Sequence, residues 1–245
     1  MQRQSQNNKR LILGITGSFG SGKTTVAKMF ALHGARLMDA DKIAHDVIKP
    51  GNIAYKRIIA DFGKKILNKN KEINRGKLAR IVFNNRKLLN RLNNIIHPQV
   101  IRVIKKQIQA SKSKIIVLDV PLLIEAGLKR IVDKIIVVQI TREKQIQRIK
   151  NRTSLNTQDI LKRIRSQFSQ NAKLRFADFI IDNSGTIKET GKQVARVFQE
   201  LFGKKEKPER GVGKCFPHVF GVTASKASAI GAEPLWGAKP KAKRQ

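Results

Sequence analysis

The sequence predicts a three-layer α/β fold built on a parallel five-stranded sheet. Short apolar runs of strand length alternate along the chain with segments whose apolar residues recur at helical intervals. The runs at 115–118 and 135–138 are uninterrupted, which is typical of strands buried on both faces of a parallel sheet. About 70 residues separate the second strand from the third, far more than a crossover connection needs. We therefore expect a helical lobe inserted at that point.

The strands and the helices next to the first and last of them come from short, well-marked segments. We place the five strands at 11–15, 36–39, 114–120, 134–140 and 179–181. A helical pattern at 23–33 follows the first strand, and Gly34 then stands where helices commonly end on a glycine. The last strand closes on Asp-Asn-Ser-Gly, a turn sequence, before a final helix at 187–202.

The inserted lobe and the segment after the fourth strand carry the remaining helices. Apolar residues repeat at helical intervals within 76–94 and again within 100–108. His97-Pro98 predicts a break between them, because a residue that precedes proline disfavours the α conformation. Thr157 is predicted to cap one amphipathic helix. The apolar residues of that helix are Ile160, Ile164, Phe168, Ala172 and Phe176.

The chain is strongly basic. It holds 51 Lys and Arg against 17 Asp and Glu, a formal net charge of +34. Such a charge suits nucleic acid, a substrate with several phosphates, or no partner at all if it reflects composition. The basic residues are scattered and 5% of the residues are aromatic, so no basic stripe interleaved with stacking side chains is predicted. We favour the compositional interpretation.

Cysteine content and the length of the apolar runs bear on the compartment. The single cysteine, Cys215, excludes a disulfide framework and indicates a reducing compartment. No apolar run approaches the roughly 20 residues of a membrane-spanning helix. The first ten residues are polar, with no apolar core of signal-peptide length behind them. We expect a cytoplasmic protein.

A phosphate-binding loop is the clearest motif. Residues 17–24 match G-x-x-x-x-G-K-[ST] at every position. They are Gly17, Ser18, Phe19, Gly20, Ser21, Gly22, Lys23 and Thr24, followed by Thr25. The glycines let the backbone approach phosphate oxygens, which its N–H groups and the positive end of the next helix surround. Lys23 is expected to reach the β- and γ-phosphates and the Thr24 hydroxyl to ligate Mg²⁺. Because the motif follows an apolar strand and opens a helix, it predicts a P-loop NTPase fold that binds ATP or a similar nucleotide.

Aspartates at the strand ends indicate a catalytic edge of the sheet. Asp39, Asp41, Asp119 and Asp182 lie at or just beyond the carboxyl ends of predicted strands, where open α/β sheets bind ligands. We expect Asp41 to accept the proton of an attacking hydroxyl, with Asp39 as the alternative base; the other carboxylate would help hold Mg²⁺ through water. The competing role is capping of the helix that begins near position 42, for which Asp41 is well placed.

A further carboxylate is predicted to bind the metal. Asp119 ends the third strand and resembles the metal-binding aspartate of P-loop enzymes. Glu125, in the loop that follows, is a second candidate. A turn aspartate at a strand end is the alternative interpretation of Asp119.

Two arginines predict a lid. Arg148 and Arg152 lie four residues apart on one face of the helix that opens at 141–143. Small-molecule kinases close an arginine-bearing lid over ATP from this region, where guanidinium groups stabilise charge on the transferred phosphoryl group. In so basic a chain, the same spacing is also compatible with a solvated surface.

Several motifs in one order resemble the dephospho-CoA kinase family. They are the P-loop with Ile15-Thr16 before it, Asp39-Ala40-Asp41, Ala44-His45, Leu92-Asn93, His97-Pro98, Pro121-Leu122-Leu123 with Glu125, Arg148, Arg152, Gln167, Ala177-Asp178 and the segment 181–185. The resemblance covers about 11–202. It implies ATP-dependent phosphorylation of the ribose 3′-hydroxyl of dephospho-CoA, the final step of coenzyme A synthesis.

The resemblance also implies residue roles. Thr16, Asp41 and Arg148 match positions at the reacting centre, and Asn183 falls in the loop beside the adenine of ATP. The residues expected on the side of dephospho-CoA are Thr16, Asp39, His97, Pro98 and Leu122. Two lid positions depart from the family pattern, since Thr153 replaces a common aspartate after Arg152 and Asn171 replaces a glutamate.

Three parts of the chain are therefore expected. Residues 1–10 form a flexible basic arm, 11–202 a dephospho-CoA kinase-like P-loop kinase domain, and 203–245 a basic, disordered tail. Within the domain, we expect a helical substrate lobe at about 45–110 and a lid at about 142–175. Two other functions stay open at this point. One is a different small-molecule or nucleotide kinase, and the other is a basic nucleic-acid-binding protein on a relic P-loop fold.

Overall fold

A five-stranded parallel sheet forms the centre of the protein. The computed structural model describes residues 10–83 and 85–202, so the predicted tail and nearly all of the predicted arm lie outside the described residues. The strands are β1 (Leu11–Gly17), β2 (Arg36–Asp39), β3 (Ile115–Asp119), β4 (Lys134–Gln139) and β5 (Phe179–Asp182). Their order across the sheet is β2-β3-β1-β4-β5, and each neighbouring pair is parallel. The predicted fold class is confirmed.

Helices fill the connections between the strands. They are α1 (Lys23–Leu32), α2 (Ala40–Val47), α3 (Ile53–Phe62), α4 (Arg75–Phe83), α5 (Arg86–Ala110), α6 (Arg142–Arg152), α7 (Thr157–Arg165), α8 (Gln170–Leu174) and α9 (Ile187–Phe202). Helices α2 to α5 lie between β2 and β3, where the sequence predicts an insertion. Within 10–83 and 85–202, no helix is long and apolar enough to cross a membrane.

The sheet separates two apolar cores. Ile116 and Leu118 of β3 face a core shared with α2 to α5, whereas Val117 faces a core shared with α1 and α9. This alternation follows from the two-residue side-chain period of a strand. Both faces of the strand are buried, which explains why its sequence is continuously apolar.

The predicted break at His97-Pro98 is wrong, because α5 runs continuously through Pro98. A proline inside a helix costs about 3 kcal/mol, since it removes a backbone donor and clashes with the preceding turn. Large apolar side chains on the opposite face of α5 outweigh that cost, each contributing about 1.5–3 kcal/mol when buried. Those fully buried side chains are Leu92, Ile96, Val100 and Ile104. Pro98 itself is exposed.

The helical pattern at 76–94 divides between two helices. Helix α4 ends at Phe83, and the side chain of Asn85 accepts hydrogen bonds from the N–H groups of Lys87 at 3.0 Å and Leu88 at 3.2 Å. Asn85 therefore caps the start of α5. Because the apolar period continues across this cap, periodicity alone does not reveal the boundary.

The single helix predicted from Thr157 is also two helices. Asn156, not Thr157, caps α7, with its side chain accepting from Asp159 N at 2.8 Å. Ser169 caps α8 by accepting from Ala172 N at 3.2 Å. Between them, Phe168 N donates to Glu125 Oε1 at 3.1 Å, so a partner distant in sequence ends the helical hydrogen bonding there.

Candidate active site

The P-loop lies between β1 and α1, at the carboxyl edge of the sheet. Gly20 has φ +78° and Gly22 has φ +86°, both in the left-handed region that favours glycine. A Cβ at Gly22 would overlap the Nδ2 atom of Asn183. Ser21 N donates to Ser18 O at 3.1 Å and closes the turn. The backbone therefore needs glycine at these motif positions, and the turn is the type that surrounds anions.

Lys23 is buried beside this loop. Its Nζ donates to Ser18 O at 3.2 Å, and the residue is 8% exposed. Burial lowers the pKa of Lys23 to about 8, while the charges of Asp119 and Asp41 oppose that shift and the charge of Lys173 adds to it. An ammonium group removed from water in this way is suited to phosphate oxygens.

Thr24, in the first turn of α1, contacts Asp119 at the end of β3. Thr24 Oγ1 donates to Asp119 Oδ2 at 2.7 Å. The other oxygen, Asp119 Oδ1, is buried without a hydrogen-bond partner among the described residues. Burial raises the pKa of Asp119, although the Thr24 hydrogen bond and the charge of Lys23 oppose the shift. An unsatisfied carboxylate oxygen beside a hydroxyl fits Mg²⁺, which is usually held by one or two protein oxygens together with substrate phosphates.

Asp39 and Asp41 have different roles in α2. Asp39 Oδ1 accepts from Lys42 N at 2.9 Å and thereby caps the helix. The alternative in which Asp41 is the cap is therefore wrong. Asp41 lies in the first turn, where burial, followed by the charge of Asp39, raises its pKa to about 6 while the charge of Lys23 opposes the shift. A carboxylate with this pKa close to the P-loop lysine is suited to general-base chemistry.

The two predicted lid arginines lie in different environments. Arg148 Nη2 donates to Gly185 O at 3.4 Å, and its Nη1 is 3.9 Å from the position of a Cβ on Gly22. Its guanidinium group therefore lies against the P-loop. Arg152, one turn later, is exposed at the end of α6. A basic residue that sequence reasoning missed, Arg163 of α7, places its guanidinium 5.8 Å from the ring centroid of Phe19.

Asn183 supports the P-loop from the end of β5. Its Nδ2 donates to Ser21 O at 2.8 Å, and its Oδ1 accepts from the Thr190 hydroxyl at 3.0 Å. The side chain is buried. Both ends of the amide are thus engaged inside the protein, and its contact is with the loop backbone.

Two glutamines hold the same loop, and sequence reasoning assigned neither a role. Gln145 Nε2 donates to Ser18 Oγ at 2.9 Å and to Phe19 O at 2.6 Å. Gln167 Oε1 accepts from Phe19 N at 2.9 Å. Gln167 is among the positions that resemble the kinase family, and the signal for Gln145 is that it lies four residues before Ile149, on the buried face of α6.

The residues expected to bind dephospho-CoA differ in how deeply they are buried. Thr16 is fully buried, and its hydroxyl donates to Pro121 O at 3.1 Å. Leu122 is 2% exposed and packs in the apolar core, so both residues are parts of the interior. His97 is half-buried and Pro98 is exposed, both on α5. Burial lowers the pKa of His97 to about 4, which makes its imidazole neutral at pH 7.

A buried ion pair lies beneath the site. Lys173 Nζ is 2.8 Å from Glu125 Oε1, with side chains 0% and 3% exposed, and it also donates to Pro121 O at 2.8 Å. Glu125 further accepts from Phe168 N. Glu125 is thus engaged with the segment around α8, whereas Asp119 is the carboxylate that contacts Thr24.

Together, the fold and the site define a P-loop kinase. A buried lysine, a hydroxyl–carboxylate pair suited to Mg²⁺ and a carboxyl group of raised pKa meet at one edge of a parallel sheet, with an arginine held against the loop. The family model for dephospho-CoA kinase matches residues 11–189. The chain therefore belongs to the dephospho-CoA kinase family, and the resemblance seen in its motifs is confirmed. With it, the enzyme class is a phosphotransferase that uses an alcohol acceptor, and the kinase fold implies a nucleotide donor.

Relatives span most of the chain. It is 42% identical to the dephospho-CoA kinase of Carboxydothermus hydrogenoformans over 192 residues, which is 77% of this chain and 93% of the relative. Identity with the Fusobacterium nucleatum dephospho-CoA kinase is also 42%, over 78% of this chain and 98% of the relative. Solved structures are also similar, among them the following two. The dephospho-CoA kinase of Campylobacter jejuni has a TM-score of 0.58 and 31% identity, covering 78% of this chain and 96% of that one. The protein TT1252 of Thermus thermophilus has a TM-score of 0.70 and 27% identity, covering 80% and 100%.

Proposed function

We propose that this chain transfers the γ-phosphoryl group of ATP to the ribose 3′-hydroxyl of dephospho-CoA and so completes coenzyme A synthesis. The family and the names of the relatives support this reaction. We also propose a cytoplasmic location, where ATP is available.

One observation carries the mechanism. Asp39 accepts the capping N–H of α2, which leaves the carboxylate of Asp41 for chemistry close to Lys23. Two nearby aspartates thus divide a structural task from a catalytic one. The raised pKa of Asp41 improves it as a base, since a carboxylate of ordinary pKa binds a proton weakly at neutral pH.

The donor is held by the P-loop. Its backbone N–H groups and Lys23 bind the β- and γ-phosphates, and the amides of Gln145 and Asn183 keep the loop in its turn. Thr24 and Asp119 would hold Mg²⁺, which, when bound, offsets negative charge on the β- and γ-phosphate oxygens.

Transfer then proceeds in line. Asp41 accepts the proton of the 3′-hydroxyl as its oxygen bonds to the γ-phosphorus, and the bond from that phosphorus to the β-bridging oxygen breaks to release ADP. Arg148, against the P-loop, stabilises charge on the transferred group. Helices within about 45–110, with His97 and Pro98, receive the acceptor. Closure of the segment at about 142–175 would bring Arg152 inward and exclude water, which suppresses hydrolysis of ATP.

A phosphotransfer assay with dephospho-CoA, ATP and Mg²⁺ tests the proposal, with the product's 3′-phosphate identified by mass spectrometry. Asp41→Asn should lower kcat by about 10²–10⁴-fold, the usual range for general-base catalysis, with ATP affinity retained. Asp39→Asn is the matched control, because asparagine caps helices as well as aspartate does. It should keep kcat within about tenfold of wild type.

Two results would reject the proposal. Near-normal turnover of Asp41→Asn with intact ATP binding would remove the base assignment. Faster phosphorylation of nucleosides or nucleotides than of dephospho-CoA in an acceptor panel would instead identify a different small-molecule kinase on the same fold.

A further inference from the structure

Arg75, which belongs to none of the motifs described above, has a guanidinium group that lies near the proposed catalytic base and, within the part of the chain that the structure describes, lacks a hydrogen-bond partner at Nε. It is the first residue of α4 in the inserted lobe and is half-buried. Its Nε is buried without a hydrogen-bond partner among the described residues. The charged group of Arg75 interacts electrostatically with Asp41 and with His45, which lie one turn apart on α2. The guanidinium therefore lies near the part of α2 that carries Asp41.

The position of Arg75 is fixed by its neighbours. Asn74 Oδ1 accepts from Lys77 N at 2.9 Å and caps α4, while Asn74 Nδ2 donates to Asn68 Oδ1 at 2.7 Å. Leu78, one turn after Arg75, is fully buried in the core. The residues before and after Arg75 are thus fixed by hydrogen bonds and by burial, so Arg75 lies in a well-ordered first turn of α4.

Burying an N–H group without a partner opposes folding by about 1–3 kcal/mol, and more for a charged group. Asp41 lowers this cost only through its charge, because no hydrogen bond joins the two among the described residues. A ligand that offers anionic oxygens removes the cost on binding. The planar fork of arginine matches phosphate oxygens well, so the complementary ligand group is a phosphate or diphosphate.

Arg75 belongs to the acceptor side of the site. It comes from the inserted lobe, whereas the cations beside the P-loop come from the loop itself, from α6 and from α7. In dephospho-CoA, the ribose that carries the reacting 3′-hydroxyl also carries the diphosphate on its 5′ carbon. An acceptor whose 3′-hydroxyl approaches Asp41 therefore carries its diphosphate close to α2 and the start of α4.

We propose that Arg75 binds the diphosphate of the acceptor and thereby sets the ribose against Asp41. This rests on the proposed function, since it assumes that the acceptor is dephospho-CoA. In this proposal, the inserted lobe contributes a positive charge that favours acceptors whose ribose carries phosphate on its 5′ carbon. Adenosine, which has the same 3′-hydroxyl and no diphosphate, gains nothing from Arg75.

The test compares Arg75→Met with wild type on dephospho-CoA and on adenosine, using radiolabelled ATP to detect slow turnover. Loss of one charge-assisted contact should lower kcat/KM for dephospho-CoA by about 10- to 150-fold, mainly through KM. The kcat/KM for adenosine and the KM for ATP should change by less than about threefold. Arg75→Lys should lie between, because it keeps the charge and loses the fork. Arg80→Met, an exposed arginine of the same helix, is the matched control and should resemble wild type.

Each outcome decides the assignment. An equal loss on both acceptors would overturn it, because Arg75 would then act through Asp41 and not through the diphosphate. Unchanged kcat/KM on dephospho-CoA would also overturn it. If neither wild type nor Arg75→Met phosphorylates adenosine detectably, the affinity for dephospho-CoA is measured by calorimetry. An affinity of Arg75→Met equal to that of wild type overturns the proposal. A loss of affinity in the Arg75 variants, but not in Arg80→Met, supports it. The melting temperature should not fall in Arg75→Met, since no internal hydrogen bond is lost. Failure of wild type to phosphorylate dephospho-CoA would reject the proposed function separately.

Discussion

The buried pair of Lys173 and Glu125 gives the sharpest prediction about stability. Replacing Lys173 with Met keeps most of the side-chain volume and removes the ammonium group. Glu125 is then left 3% exposed, with its hydrogen bond from Phe168 N and no cation. Breaking a buried ion pair in this way costs about 3–5 kcal/mol, because an uncompensated charge stays in the interior.

Removing both charges should cost far less. In the double variant Lys173→Met with Glu125→Leu, no charge is left without its partner. Only the hydrogen bonds to Pro121 O and from Phe168 N are lost, at about 1 kcal/mol each. We therefore expect the double variant to lose about 0–2 kcal/mol, so that the second substitution restores stability lost through the first.

Urea unfolding of the full chain, followed by circular dichroism, measures both effects. With a slope of about 2–3 kcal/mol per molar urea, a loss of 4 kcal/mol moves the midpoint by about 1.5 M. Lys134→Met is the matched control, because it removes an ion pair of the same 2.8 Å length to Asp178 with side chains 44% and 34% exposed. An exposed pair of this kind contributes about 0–1 kcal/mol.

The reasoning is refuted if Lys173→Met unfolds at the same urea concentration as Lys134→Met. It is equally refuted if the double variant is less stable than Lys173→Met alone. Either result would show that solvent or local relaxation compensates Glu125 despite its burial.

Three further predictions concern the site. The kcat/KM for the acceptor should fall about tenfold for each pH unit below pH 6. Burial and then the charge of Asp39 raise the pKa of Asp41 to about 6, and a protonated carboxyl group cannot act as a base. A kcat/KM that stays constant down to pH 5 would contradict this prediction. Asp41→Asn should raise the free energy of unfolding at pH 7 while removing activity. Because the pKa of Asp41 is raised from 3.8 to about 6 on folding, its charged form opposes folding increasingly between these two pH values and fully above about pH 6. Urea unfolding should therefore show that the gain disappears toward pH 4. Gly22→Ala should abolish ATP binding measured by calorimetry, because Gly22 has φ +86° and a Cβ there overlaps Asn183. Gly51→Ala is the control. Gly51 has φ +92° and open space around it, so this variant should bind ATP normally despite similar backbone strain.

Local patterns were sufficient for the sheet and for the P-loop. The strand at 36–39 and the helix at 187–202 have the predicted bounds, because short apolar runs and turn sequences mark them directly. The phosphate-binding loop needs only neighbouring residues, and its left-handed glycines fall within the motif. These features depend on interactions a few residues apart.

Features that depend on distant partners were missed. Gln145 contacts Ser18 across 127 positions, and nothing periodic distinguishes it from other polar residues of a basic helix. Lys173 looks like a surface residue in the sequence, yet it is fully buried because Glu125 lies opposite. Helix α5 continues through Pro98 because tertiary burial outweighs a local preference.

Which of Asp39 and Asp41 caps α2 was not decided by the sequence, for a different reason. Both residues are compatible with a cap when only their spacing from the helix is known, and the choice depends on where the first helical turn begins. Helix bounds read from sequence are uncertain by a few residues, which is larger than the distance between these two aspartates. Only the hydrogen bond from Lys42 N to Asp39 Oδ1 shows which of the two aspartates is the cap.

The carbonyl of Pro121 connects three parts of the enzyme that are distant in sequence. It accepts from the hydroxyl of Thr16 in β1 and from the ammonium of Lys173 in α8, so both of its lone pairs are used. Asp119 lies two residues earlier on the same short stretch of backbone. A movement of α8 that carries Lys173 with it would therefore pull on this stretch of backbone, two residues from the carboxylate proposed to hold Mg²⁺.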